Sequence, residues 1–241
     1  MSDFTEFDEQ GVVPEKNTSA IISHAFEMYK GTFVYILVAA LIYFGASFLI
    51  NVVTGFDSQE LTEEIKSGDY STMRLFEIPG FTAYYGLSAL LGILITPLYV
   101  GVIYILNKYN NKDQIQIGDL FIGYRQNVGN ILIYSIVTNI ILSISVLFCI
   151  IPVFLVFPLF LLGYPILLFE NASFMDAIKK SYAIAKENYG VFLGSGLLGV
   201  LISMAGLLLC CVGIIVTMFF SIAVMYSLYV AYCGKPRPLL K

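Results

Sequence analysis

Few residues in this chain have types suited to chemistry, and they are scattered. There is one histidine, His24, and there are four cysteines, Cys149, Cys210, Cys211 and Cys233. An imidazole can move a proton or ligate a metal, and a thiolate can act as a nucleophile or hold zinc. Both jobs need neighbours. His24 has no second histidine and no nearby cysteine, and no cysteine pair has C-x-x-C spacing. We therefore expect His24 as a surface or interface residue and the cysteines as small apolar packing groups. A disulfide from Cys149 to the Cys210–Cys211 pair is the alternative in an oxidising compartment. The sequence has no G-x-x-x-x-G-K-[ST], no G-x-S-x-G and no H-E-x-x-H. No catalytic residue, cofactor site or metal site is expected, and the chain reads as a non-enzyme.

The remaining polar candidates lie in apolar stretches. Ser135, Thr138, Asn139 and Ser143 are spaced three or four apart and share one face of a helix. Such a stripe either bonds to neighbouring helices or forms one wall of a polar cavity. Pro97 and Pro158 each remove a backbone donor and should kink a helix. Interrupted helices at corresponding places can mark a substrate site. Here they come without charged or glycine-rich unwound segments. Gly190, Gly194, Gly196, Gly199 and Gly206 crowd another stretch. They suit close helix packing or the border of a lipid-sized groove.

The elements that carry these residues follow from composition. Hydrophobic residues make up 58% of the 241 and charged residues 12%, against roughly 25% charged in soluble domains. That charge cannot cover a soluble globule of this size, so a bilayer must cover part of it. Residues 31–56, 78–107, 126–169 and 188–234 contain no Asp, Glu, Lys, Arg or His. A spanning helix needs about 20 apolar residues. The first two runs hold one span each, at about 32–53 and 81–107. The longer two hold two each, at about 128–150 and 152–169, then 190–211 and 213–233. Pro152 should turn the third run. Gly213 divides the fourth more evenly than Gly206. The expected fold is all-α and polytopic, with six transmembrane helices.

Charge sets the orientation. Eleven of the thirteen Lys and Arg residues fall before span one, in the even loops or after span six; only Lys66 and Arg74 fall on the other side. The positive-inside rule puts both termini in the cytoplasm, in the cell inner (plasma) membrane. Asp3, Glu6, Asp8 and Glu9 exclude a cleavable signal, so the first span is expected to direct insertion.

An internal repeat organises the spans. A shift of 61 residues lays Pro97 on Pro158, Asn110 on Asn171, Phe121 on Tyr182, Arg125 on Lys186, Asn127 on Asn188, Gly129 on Gly190 and Cys149 on Cys210. A shift of 95 lays Phe26 on Phe121, Tyr29 on Tyr124 and Lys30 on Arg125. We expect an acidic tail at 1–17 and three hairpin repeats at 18–107, 108–170 and 171–241, the last ending in a short basic tail. Each opens with a cytoplasmic amphipathic segment, at about 18–30, 115–127 and 173–188. These lie in the membrane interface or pack on the bundle.

The insertion at 55–79 is extracytoplasmic. It holds six acidic and two basic residues. Ser58 reads as the N-cap of a short helix, with Glu60, Glu63 and Glu64 near its positive end. Tyr70 and Phe76 add apolar surface. The loop is either a docking site for a partner, through Glu60, Glu63, Glu64, Tyr70 and Phe76, or a solvated cap.

The run Ser173-Phe-Met-Asp-Ala-Ile-Lys-Lys-Ser-Tyr-Ala-Ile-Ala-Lys-Glu-Asn-Tyr189 follows a span ending Pro165-Ile-Leu-Leu-Phe169-Glu170. It resembles bacterial multi-pass proteins related to the membrane domain of some glycerophosphodiester phosphodiesterases. The resemblance covers residues 90–232 and implies span, amphipathic helix, span. Those proteins mostly lack an assigned activity, and the soluble catalytic domain is missing, so no catalysis carries over. Three hairpins also suggest mitochondrial carriers, but no P-x-[DE]-x-x-[KR] follows Pro97 or Pro158.

The expected function is a membrane scaffold or accessory subunit of a larger membrane complex. Membrane lipids and another membrane protein are the expected partners, and nucleic acid is not. The alternative is a carrier or flippase-like protein for lipid or another amphiphile.

Overall fold

The computed structural model describes residues 11–67, 76–148 and 150–236. Every regular element among them is helical. Among these residues, five helices are long and apolar enough to cross a membrane: Phe33–Thr54, Phe81–Asn110, Val128–Leu147, Pro152–Phe169 and Gly213–Cys233. A sixth is reached only if a pair bent by 105°, Phe174–Glu187 with Tyr189–Ala205, counts as one span. The chain is all-α, and these helices fit a multi-pass membrane protein.

The helices run α1 Thr18–Gly31, α2 Phe33–Thr54, α3 Ser58–Ser67, α4 Phe81–Leu94, α5 Thr96–Asn110, α6 Ile122–Arg125, α7 Val128–Phe148, α8 Ile150–Val156, α9 Gly163–Phe169, α10 Phe174–Glu187, α11 Tyr189–Ala205, α12 Cys210–Thr217 and α13 Phe220–Cys233. Short 3-10 turns cover Ile117–Phe121, Phe157–Phe160 and Gly206–Leu209. Local chemistry explains several starts. Asn17 Oδ1 accepts the Ala20 N–H at 2.8 Å and opens α1. Ser173 Oγ accepts the Asp176 N–H and opens α10. Before α3 the cap is Asp57, not Ser58: Asp57 Oδ1 accepts the Gln59 N–H at 2.8 Å.

Two compact units are present, one holding the chain up to Ala40 and from Thr96 onward, the other Leu41–Ile95. In the larger unit α5, α9 and α13 touch one another. Their buried faces include Leu98, Ile105, Ile166, Leu167, Tyr226 and Leu228. Around them, α7 packs on α5 and α9, and α11 packs on α13. Three short segments pack alongside these helices. α1 lies on α13, the 117–125 segment on α5, and α10 on α9 with the 157–160 turn.

Glycine permits the closest of these approaches. A methyl on Gly101 would meet the Leu120 carbonyl oxygen at 1.8 Å, and one on Gly123 would meet the Pro97 oxygen at 2.2 Å. Backbone therefore lies directly on backbone. The reversal after α11 falls at Gly206–Leu209, earlier than the expected Gly213. Gly213 is inside α12, and its carbonyl packs so close to Gly206 that a side chain there would collide.

In the smaller unit Phe56 is buried and stacks on Tyr84 at 4.6 Å, with Phe81 and Tyr85 edge-on. Gly80 holds φ +75 beneath the Thr54 carbonyl, where a Cβ would stand 2.4 Å from oxygen. Asn51 Nδ2 donates to the Phe56 carbonyl. The outer faces of α2 and α4 expose Phe48, Leu49, Val53 and Leu90, as lipid-facing helices do.

Candidate functional site

The helix breaks are the first feature that gathers polar groups. α4 gives way to α5 at Ile95, just before Thr96 and Pro97. The 3-10 turn holding Pro158 separates α8 from α9. α12 gives way to α13 at Met218–Phe219, where no proline is present. Pro97 sits in the first turn of α5, where its missing N–H leaves no bond unmade. Both prolines are buried.

Breaks free backbone groups, and these are met by side chains of the same chain. Ser181 Oγ, on α10, donates to the Leu159 carbonyl at 2.7 Å and accepts the Leu162 N–H at 3.3 Å. Tyr134 Oη donates to the Phe160 carbonyl at 2.7 Å. Tyr29 Oη, on α1, donates to the Val216 carbonyl. Burial raises the Tyr29 hydroxyl's pKa, which keeps it a neutral donor. Thr217 Oγ1 donates to the Ser203 carbonyl, and Ser203 Oγ accepts the Ser221 N–H at 3.0 Å.

The α7 stripe divides into two halves. Ser135 and Thr138 are buried, whereas Asn139 and Ser143 are exposed. Ser135 Oγ lies 3.0 Å from Thr96 Oγ1 across to α5. Thr138 Oγ1 and Asn139 Nδ2 turn back onto their own helix, donating to the Tyr134 and Ser135 carbonyls at 2.8 Å. The glycine-rich α11 packs closely on three elements. Methyls on Gly194, Gly196 and Gly199 would stand 3.0 to 3.1 Å from Thr18, Leu161 and Val224.

A second cluster was not anticipated. His24 is 4% exposed, so it is not a surface residue. Its Nδ1 lies 2.9 Å from Ser227 Oγ. Ser227 Oγ also lies 2.9 Å from the Ala223 carbonyl oxygen. His24 Nε2 is buried and makes no hydrogen bond of good geometry. Burial lowers its pKa below the ordinary 6.5, while Glu27, the Val12 backbone and Asn110 act in the opposite direction.

Asn110 ties the same cluster to the segment at Val12. Its Oδ1 accepts the Val12 N–H at 2.8 Å and its Nδ2 donates to the Val12 carbonyl at 3.1 Å. Nδ2 also donates to Tyr226 Oη at 3.0 Å, and Tyr226 donates to Asn107 Oδ1 at 3.1 Å. A cavity of about 340 Å³ opens beside it, bordered by Val12, Glu27, Met28, Tyr109 and Asp113. Asn107, Asn110, Tyr226 and Ser227 escaped sequence reasoning. The available signal was Asn107-x-x-Asn110, two amides three apart at the end of a charge-free run.

In the insertion, Glu60 and Glu63 are exposed on α3, and Phe76 is exposed and edge-on to Phe81 at 5.8 Å. Tyr70 and the Glu64 side chain lie outside the described residues. So do Cys149 and the side chains of Cys210 and Cys211, and with them the disulfide expectation. Cys233 is a free thiol. Among the described residues no group of three His, Cys, Asp or Glu could hold a metal ion. A mainly apolar cavity of about 320 Å³ lies against α11, α12 and α13, bordered by Val200, Ser203, Met204, Leu207 and Met218. No protein-family model, curated protein or solved structure matches this chain.

Proposed function

We propose that the chain is a non-enzymatic protein of the inner membrane that serves as a scaffold or accessory subunit of a larger membrane complex. Both termini are cytoplasmic in this reading. Its six spans form three hairpin repeats, each opened by an interfacial segment. A relation to the membrane-domain proteins named above belongs to the same proposal.

The observation that carries it is the way the breaks are filled. Backbone groups freed at Leu159, Phe160, Leu162 and Val216 bond to Ser181, Tyr134 and Tyr29 of the chain itself. A transport path would leave such groups to its substrate. Groups bonded internally make a rigid body instead, which suits a scaffold.

The repeat draws support from contact geometry. Gly101 packs on the Leu120 carbonyl. Adding 61 to both numbers gives Leu162 and Ser181, which are also in contact. Each short segment packs on the second span of the copy before it, and α1 on α13 closes the cycle.

The carrier reading for lipid or another amphiphile is favoured by one observation, the apolar cavity beside α11 and α13. Pocket volumes for small ligands begin at roughly 300 Å³. The test is the mass of the intact assembly, purified in mild detergent from a C-terminal tag. A second membrane polypeptide in fixed ratio supports the accessory subunit. The chain alone with one retained lipid species favours the carrier. The chain alone with neither sinks both.

A further inference from the structure

We infer that three matched aromatic–cation pairs, Phe26 with Lys30, Phe121 with Arg125 and Tyr182 with Lys186, bind the headgroups of anionic phospholipids. The inference rests on the three-repeat reading and names the ligand class of its cytoplasmic face. Adding 95 to Phe26 gives Phe121, and adding 61 to that gives Tyr182; a cation follows each aromatic by four residues.

Exposure is similar at the three positions. Phe26 is 40% exposed, Phe121 38% and Tyr182 44%. The residue just before each, Ala25, Leu120 and Ser181, is fully buried. Lys30, Arg125 and Lys186 are all exposed. A single exposed aromatic is ordinary. The same alternation of buried residue, half-exposed aromatic and exposed cation in three separate segments calls for a common cause.

Spacing by four residues brings aromatic and cation to one side of a helical segment. Lys186 Nζ stands 5.8 Å from the Tyr182 ring centre. Rings of this kind settle at headgroup level, and a neighbouring Lys or Arg reaches the phosphates. Charge complementarity selects an anionic lipid. Among the described residues Asp119 is taken by Lys108 and Glu170 by Lys180. None of the three matched cations has a carboxylate partner there. The chain carries a net charge of −4, so attraction to an anionic bilayer must come from such local sites.

The chain has no tryptophan, which makes the sites readable one at a time. Phe26→Trp, Phe121→Trp and Tyr182→Trp each place a lone reporter in the full chain. Each variant is set in phosphatidylcholine nanodiscs containing brominated phosphatidylglycerol or, at equal mole fraction, brominated phosphatidylcholine. Thermal unfolding like the parent's qualifies a variant as folded. We expect the anionic lipid to quench all three more strongly. Adding Lys30→Gln, Arg125→Gln or Lys186→Gln weakens the apparent affinity at its own reporter roughly fivefold, from the worth of one cation near an anionic surface. Lys179→Gln, an exposed but unmatched cation on α10, leaves the preference in place. Equal quenching by the two lipids overturns the headgroup sites while the interfacial placement stands. Quenching by neither overturns the sites and the placement together. A preference at only one reporter overturns the threefold assignment.

Discussion

Ser181 and Leu159 are joined by a 2.7 Å hydrogen bond from the serine hydroxyl to the carbonyl, across the break that contains Pro158. The same hydroxyl accepts the Leu162 N–H. One side chain on α10 thus meets two backbone groups that the broken helix leaves open. Ser181→Ala should lower stability by about 2 kcal/mol, the cost of leaving buried polar groups unmatched. Thermal unfolding in detergent measures it. An unchanged midpoint would show that water or lipid headgroups reach the break.

Much of the architecture was legible because bilayer physics writes long patterns. The charge-free runs coincide with the five helices long and apolar enough to cross a membrane. Packing choices left weaker traces. The turn at Gly206 rather than Gly213 depends on how closely two backbones meet, and both glycines suit a reversal. The break at Met218–Phe219 has no proline to announce it. His24 looked like an interface residue because nothing nearby in sequence pairs with it; its partner Ser227 is 203 residues away. Ser135, Thr138, Asn139 and Ser143 all lie on α7, and spacing alone does not say which half is buried.

Close backbone approach predicts a sharp contrast between glycines. Gly101→Ala forces a methyl into the Leu120 carbonyl, which is backbone and cannot rotate away. The helices must separate, at a cost of about 3 kcal/mol. Gly190→Ala meets nothing within 4 Å and should leave stability unchanged or slightly raised. Unfolding midpoints of the two variants, side by side, check this. Equal midpoints would place α5 and the 117–125 segment farther apart than described.

His24 should make stability depend on pH in one direction. Its folded pKa is lowered from 6.5, chiefly by burial. Between that lowered value and 6.5 the unfolded chain binds the proton more readily. His24 therefore stabilises the fold fully above pH 6.5, and this contribution is lost as pH falls through the folded value. His24→Asn keeps an amide that can donate to or accept from Ser227 but cannot titrate. Its unfolding midpoint, followed from pH 7.5 to about 5, should fall less steeply than the parent's. Parallel curves would assign the acid sensitivity to other groups.

Asn110 is predicted to hold the segment at Val12 in place. It bonds both backbone groups of Val12, and Lys16 beyond it lies over the Tyr232 ring at 5.3 Å. Removing the amide frees the segment without touching the apolar core beneath it. Asn110→Ala should therefore speed tryptic cleavage at Lys16, roughly tenfold if about 1.4 kcal/mol of local stability is lost. Asn110→Asp supplies a graded control. A carboxylate can still accept the Val12 N–H, but it has no N–H for the Val12 carbonyl or for Tyr226. Its cleavage rate should fall between the parent and the alanine variant. If both variants are cut at the parental rate, residues 12–16 are held by something other than Asn110, and the contact of Lys16 with Tyr232 becomes the next one to break.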